Sequence, residues 1–85
     1  MTPHEIFLCK TALRVLDSAG PQGVNREAWM EQVGICAQAP LTSAEQAALI
    51  SKCEGNGWVL SYRDPIREQV RWVLSGPGTL ALGVL

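Results

Sequence analysis

The chain has no surplus of positive charge: seven lysines and arginines stand against eight aspartates and glutamates, for a net charge of −1. Proteins dedicated to nucleic acid usually carry a basic excess, because phosphate neutralisation supplies most of their non-specific affinity. That broad electrostatic footprint is missing. Histidine is almost absent. His4 stands alone at a helix start, and no serine or cysteine has the surroundings of a nucleophile served by a base and an orienting acid. The cysteines show no metal-ligand spacing. Neither Gly55-Asn56-Gly57 nor Gly76-Pro77-Gly78 is followed by the lysine and helix of a phosphate-binding loop, so both read as turns. No window approaches the roughly 20 apolar residues of a membrane span. The N-terminus lacks the basic start and apolar run of a secretory signal. There is no internal repeat and no low-complexity tract. These absences argue against an enzyme, a metal site, a bound cofactor and a membrane protein.

What remains is an 85-residue chain that is 47% apolar, enough for one domain over residues 1–85 around one core. Cys9, Cys36 and Cys53 each fall in an apolar helical neighbourhood. An odd number without a pairing pattern reads as reduced thiols buried as small hydrophobes, in a cytoplasmic setting.

Local signals place three helices before a hairpin. Thr2-Pro3-His4-Glu5 is a capping box with proline in the first turn. It opens a helix over about 3–18 that Gly20-Pro21 stops. Ile6, Leu8, Cys9, Ala12, Leu13, Val15 and Leu16 form its apolar arc, and Phe7 falls on the polar side. Asn25 caps a second helix over about 26–37, which Gly34 weakens or ends early. Thr42 with Glu45, and Ser43 with Gln46, are overlapping capping boxes for a third helix over about 43–54. Its inward residues are Ala47, Leu49, Ile50 and Cys53. After Gly57 the periodicity changes to alternation. Trp58, Leu60 and Tyr62 are expected to lie with Val70, Trp72 and Leu74 against the helices. Asp64-Pro65 turns the hairpin over 58–74. In the C-terminal segment 75–85, Ser75-Gly76-Pro77-Gly78 reads as another turn, and the apolar Thr79 to Leu85 is expected to pack as a short helical turn or to form a subunit contact.

Leu13 to Glu27, Ile50 to Val59 and Val70 to Gly78 resemble, in that order, three parts of a winged helix–turn–helix protein. They correspond to the passage from first to second helix, the end of the recognition helix, and the closing strand of the wing. Leu74-Ser75-Gly76-Pro77-Gly78 stands where many members carry a Leu-Thr-x-x-Gly pattern. The resemblance implies an α+β, mostly α fold: a three-helix body with a C-terminal β-hairpin wing. It also implies duplex DNA as partner, with the third helix in the major groove and the wing on the backbone or minor groove.

Carried onto this chain, the contact residues are Ser43, Ala44, Glu45, Gln46, Ala48, Ser51 and Lys52 on the third helix, and Arg63, Arg67 and Arg71 on the wing. Arginine forks match phosphate geometry. Asp64 and Glu68 are interleaved with them, leaving the wing about one unit positive, and the same charges fit a solvated hairpin with internal ion pairs. The third helix offers a single lysine on a face of small residues, where base readout favours Arg, Lys, Asn or Gln. Glu27 and Glu31 would stand near the phosphates. A second reading therefore stays open: a protein-interaction module on a winged-helix scaffold that binds no DNA. Phe7, Leu82 and Leu85 are the candidate contacts for a homodimer or another protein.

Overall fold

The computed structural model describes residues 1–85. Helix α1 (Pro3–Ala19) is held at its start by the reciprocal Thr2–Glu5 box, with Glu5 N donating to Thr2 Oγ1 at 3.2 Å. It ends at Gly20, whose φ of +77° lies in the left-handed region. A two-residue strand β1 (Val24–Asn25) leads into α2 (Arg26–Cys36), where Asn25 Oδ1 accepts from Ala28 N at 2.8 Å. Helix α3 (Ser43–Gly55) is capped by Thr42 with Glu45. The Ser43–Gln46 box does not form. Thr42 occupies the cap, and Gln46 Nε2 donates instead to Leu41 O at 3.3 Å. Strands β2 (Val59–Asp64) and β3 (Gln69–Leu74) form the hairpin, and helix α4 (Gly76–Val84) closes the chain.

The Ser75-Gly76-Pro77-Gly78 turn is in fact the start of α4: Ser75 Oγ accepts from Gly78 N at 3.0 Å and Pro77 sits in the first turn. Gly34 lies within α2 rather than ending it. A Cβ there would stand 3.4 Å from Ala39 O and Pro40 Cα, so the small residue lets the following loop pass close over the helix.

The strand β1 has no sequence signature because two residues carry no periodicity. It joins the sheet in the order β1–β3–β2, pairing Val24 with Trp72 and Asn25 with Arg71. The hairpin register corrects the expected inward face. Val59 pairs with Leu74 and Ser61 with Trp72, while Leu60 pairs with Val73 and Tyr62 with Arg71. Directly opposed residues share a face. The inward row is therefore Val59, which is buried, with Trp72 and Leu74, which are half-buried, while Val70 on the same face reaches past the core and is exposed. Leu60 and Tyr62 lie on the opposite side, with Leu60 59% exposed. The two strands were expected in phase and are one residue apart. A slip of one residue exchanges the two faces of a strand.

Leu8, Cys9, Ala12, Leu13 and Leu16 of α1 form the centre of the core. Trp29, Met30 and Val33 of α2, Leu49, Ile50 and Cys53 of α3, and Val59 surround them. Trp29 is fully buried, donates Nε1–H to Ala12 O at 3.0 Å, and lies 5.9 Å from the Trp72 ring. Two inward assignments are corrected. Ala47 is exposed, as is Cys36 near the end of α2, beyond the reach of the core; Cys9 and Cys53 are buried. Leu82 and Leu85 pack against the core from α4, so the outward apolar residues of this helix are Leu80 and Val84. No helix is long and apolar enough to cross a membrane.

Candidate nucleic-acid interface

The outer face of α3 carries Ser43, Ala44, Glu45, Ala47, Ala48 and Ser51, all exposed. Gln46 is half-buried and engaged with Leu41 O. The face thus carries mostly small side chains and no free cation. Its expected lysine is committed elsewhere: Lys52 Nζ is ion-paired with Glu5 of α1. Neighbouring Lys52, together with the Thr2 hydroxyl and backbone N–H, holds the Glu5 carboxyl at about 2. Contact with Glu5 raises Lys52 in turn. Glu45 is also held low, by the Thr42 N–H and hydroxyl that complete its capping box. It is an anion on the exposed face of α3.

The three wing arginines have different roles. Arg71 is a structural tie. Its Nε donates to Gln22 O at 3.0 Å, Nη2 to Gly23 O at 2.7 Å and Nη1 to Gln69 Oε1 at 2.6 Å. Tyr62 Oη donates to the same Gln22 carbonyl at 2.7 Å. The outer face of the sheet therefore clamps the loop between α1 and β1. Gly23 serves that clamp. Its φ is +69°, and a Cβ would overlap Trp72 O. Arg67 donates Nη1 to Asp64 Oδ2 at 2.8 Å, and Asp64 also accepts from Ile66 N and Arg67 N, so one carboxylate organises the tip. Arg67 neighbours Asp64 closely enough to hold its carboxyl below the usual range. The Arg67 side chain is still 52% exposed. Arg63 is exposed and enters no ion pair. Beside it Ile66 projects at 90% exposure. Sequence reasoning missed Ile66, although its position in a charged turn marked it as having no core to join.

Glu5 and Asp64 are both shifted downward, so their pairings stabilise the fold above the unfolded carboxyl range and lose that effect as protons neutralise them. Thermal midpoints are expected to fall between pH 4.5, the ordinary glutamate value, and about pH 2. Glu5→Gln should flatten that decline in a calorimetric pH series.

The interface candidates thus divide. Arg63 and the small face of α3 are available to a partner, Arg67 is half exposed in its pair with Asp64, and Lys52 and Arg71 are engaged within the fold. Phe7 is 48% exposed and lines a groove of about 450 Å³ with Val15, Val24 and Cys36. It is well separated in sequence from Leu82 and Leu85, which are half-buried rather than presented.

No family model and no curated protein matches the chain. Among solved structures, the S. aureus MepR–DNA complex is similar to it, with a TM-score of 0.66 at 14% identity. The likeness covers 99% of this chain and 53% of that one, so this chain spans about half the length of the structure it matches. The architecture is that of a winged helix–turn–helix: four helices with a three-stranded antiparallel sheet whose β2–β3 hairpin is the wing.

Proposed function

We propose that this chain is a duplex DNA-binding module of a transcriptional regulator or accessory factor, contacting DNA through α3 and the wing. The observation that carries the reading is the similarity, over 99% of the chain, to a protein solved in complex with DNA. Arg63 and Arg67 support it as exposed guanidiniums at the end of the wing, suited to phosphate or a narrow minor groove. Ser43 and Ser51 supply hydroxyls on α3, and Ala44 and Ala48 allow that helix a close approach. With so few cations, affinity would be modest and strongly salt-dependent. A second copy, meeting through Phe7 and the outward side of α4, would double the phosphate contacts.

Fluorescence anisotropy with random duplex DNA at low salt tests this reading. Binding should weaken with salt by a log–log slope of about −0.9 per phosphate contacted. Arg63→Ala and Arg67→Ala should each lower affinity several-fold and reduce the slope by about one. Arg71→Ala should act differently, destabilising the fold by about 1–3 kcal/mol through the released loop carbonyls, as read by urea denaturation. Absence of duplex binding at low salt would refute the proposal.

One set of observations favours the alternative of a protein-interaction module. The only lysine on α3 is paired with Glu5, and Glu45 and Glu54 stay exposed on that helix. Glu27 and Glu31 line a groove of about 480 Å³ beside it. On that reading Ala48→Arg disrupts docking of a protein partner, and duplex DNA has no effect.

A further inference from the structure

The hairpin outruns the body that supports it. Val59, Trp72 and Leu74 face the helices, but further along the same row Arg63 is paired with Val70, and both are exposed. The turn beyond them, residues 65–68, carries Ile66 at 90% exposure, the highest among the large apolar side chains. A single exposed apolar residue is ordinary on a protein surface. Ile66 differs in how firmly it is held and in what flanks it.

Asp64 organises the turn from its start. Its side chain is 7% exposed, and Oδ1 accepts from Ile66 N at 3.0 Å and from Arg67 N at 3.3 Å. Pro65 restricts the backbone just before Ile66. Glu68 returns the chain to β3 with a φ of +53°. The isoleucine side chain is itself stiff, because it branches at Cβ. Ile66 thus stands on an ordered turn, and burying it against a partner gives up little conformational freedom. The charges around it cancel: Arg63 and Arg67 stand against Asp64 and Glu68. A tip without net charge gains little from phosphate attraction alone. What it presents is one rigid apolar side chain with an arginine on either side in the sequence.

We propose that Ile66 is a wedge, which the wing tip inserts between two base pairs from the minor groove, kinking the duplex. This rests on duplex DNA as the partner of the wing. The minor groove, about 6 Å wide, admits a tight turn led by one side chain more readily than a two-stranded ribbon. Apolar side chains inserted there unstack a base step and bend the duplex, while neighbouring arginines contact the groove. Unstacking costs least at pyrimidine–purine steps such as TA and CA, so the wedge selects sites that carry one. Selection then comes from the deformability of the site. That accords with an α3 face of mostly small side chains, which has few groups for reading base edges.

The test compares the wild-type chain with Ile66→Ala on a duplex of about 20 base pairs carrying 2-aminopurine at a central TA step. Wild-type binding should brighten the 2-aminopurine, as unstacking does, and bend the end-labelled duplex by about 20–90°, read by energy transfer. A duplex with only G·C pairs at its centre should bind more weakly. Ile66→Ala should keep its thermal midpoint, since the side chain is exposed. It should lose the brightening and the bend and bind about 5–20-fold more weakly, with the salt slope unchanged. Arg63→Ala supplies the contrast: the slope should fall by about one while the brightening persists. Ile66→Leu should retain the wild-type signal. Wild-type binding without brightening, or affinity and brightening untouched by Ile66→Ala, would overturn the wedge and leave the DNA reading standing. No duplex binding by the wild-type chain at low salt removes both.

Discussion

Trp29→Ala is expected to leave little or no folded protein at room temperature. The side chain is fully buried between α1 and the sheet, and it is the largest such residue in the core. Its removal opens a cavity in the core beside Ala12 of α1 and Trp72 of β3. Phe/Trp→Ala substitutions at such sites cost about 3–5 kcal/mol. The indole also satisfies Ala12 O within α1, and its loss adds about 1 kcal/mol. A chain of this length is stable by about 4–13 kcal/mol in total, so the loss takes a large share of it. Far-UV circular dichroism and urea titration read the result directly. Trp29→Phe separates the two effects. It keeps an aromatic ring near Trp72 and gives up the hydrogen bond, so a clear but smaller fall in the urea midpoint is expected.

Gly78→Ala should be nearly as damaging, and Gly83→Ala, in the same helix, should be harmless. A Cβ on Gly78 would overlap the Trp58 carbonyl oxygen and stand 2.9 Å from Leu74 Cδ1. The Trp58 backbone cannot retreat easily. Its N–H donates to Cys53 O at 3.1 Å, and its carbonyl accepts from Ser75 N at 3.0 Å. Ser75 Oγ in turn donates to Gly57 O at 2.6 Å while capping α4 through Gly78 N. The clash therefore reaches the end of α3, the first wing strand and the start of α4 together. Overpacking of this kind costs about 1–3 kcal/mol, and more where backbone must move. A Cβ on Gly83 meets nothing within 4 Å, and alanine favours the helix by about 1 kcal/mol. Equal loss of thermal midpoint in the two variants would show that α4 is not docked as described.

The same two sites show where sequence reading succeeds and where it stops. Trp29 falls on an apolar face that helical periodicity displays, and it is in the core. Gly78 reads as an ordinary turn glycine, because the carbonyl that excludes a side chain belongs to Trp58, in another element. The wing shows the same division. Alternation after Gly57 marks a strand, yet alternation in each strand separately cannot set the phase between two strands. The Val59–Leu74 register does so, and Leu60 and Tyr62 turn outward in consequence. Among the candidate contact residues, Arg63 lies near the exposed end of β2 and Arg67 in the turn after it, both of which local signals locate. Lys52 and Arg71 look equally available in the sequence, and their partners stand 47 and 48 residues away.

Everything legible in the order of residues depends on neighbours within a turn or two. The Thr2, Asn25 and Thr42 caps, the stop at Gly20, the change of period after Gly57 and the shortage of basic charge all belong here. Such features need only local hydrogen bonds and side-chain spacing. The inward face of the wing, the pairing of β1, the apolar residues that α4 presents and the charges left free for a partner belong to a different class. Each depends on which distant groups packing brings together, and a buried carbonyl or carboxylate takes whichever donor the folded chain places beside it. For a protein with so few cations, that placement sets how much of its charge can reach a partner.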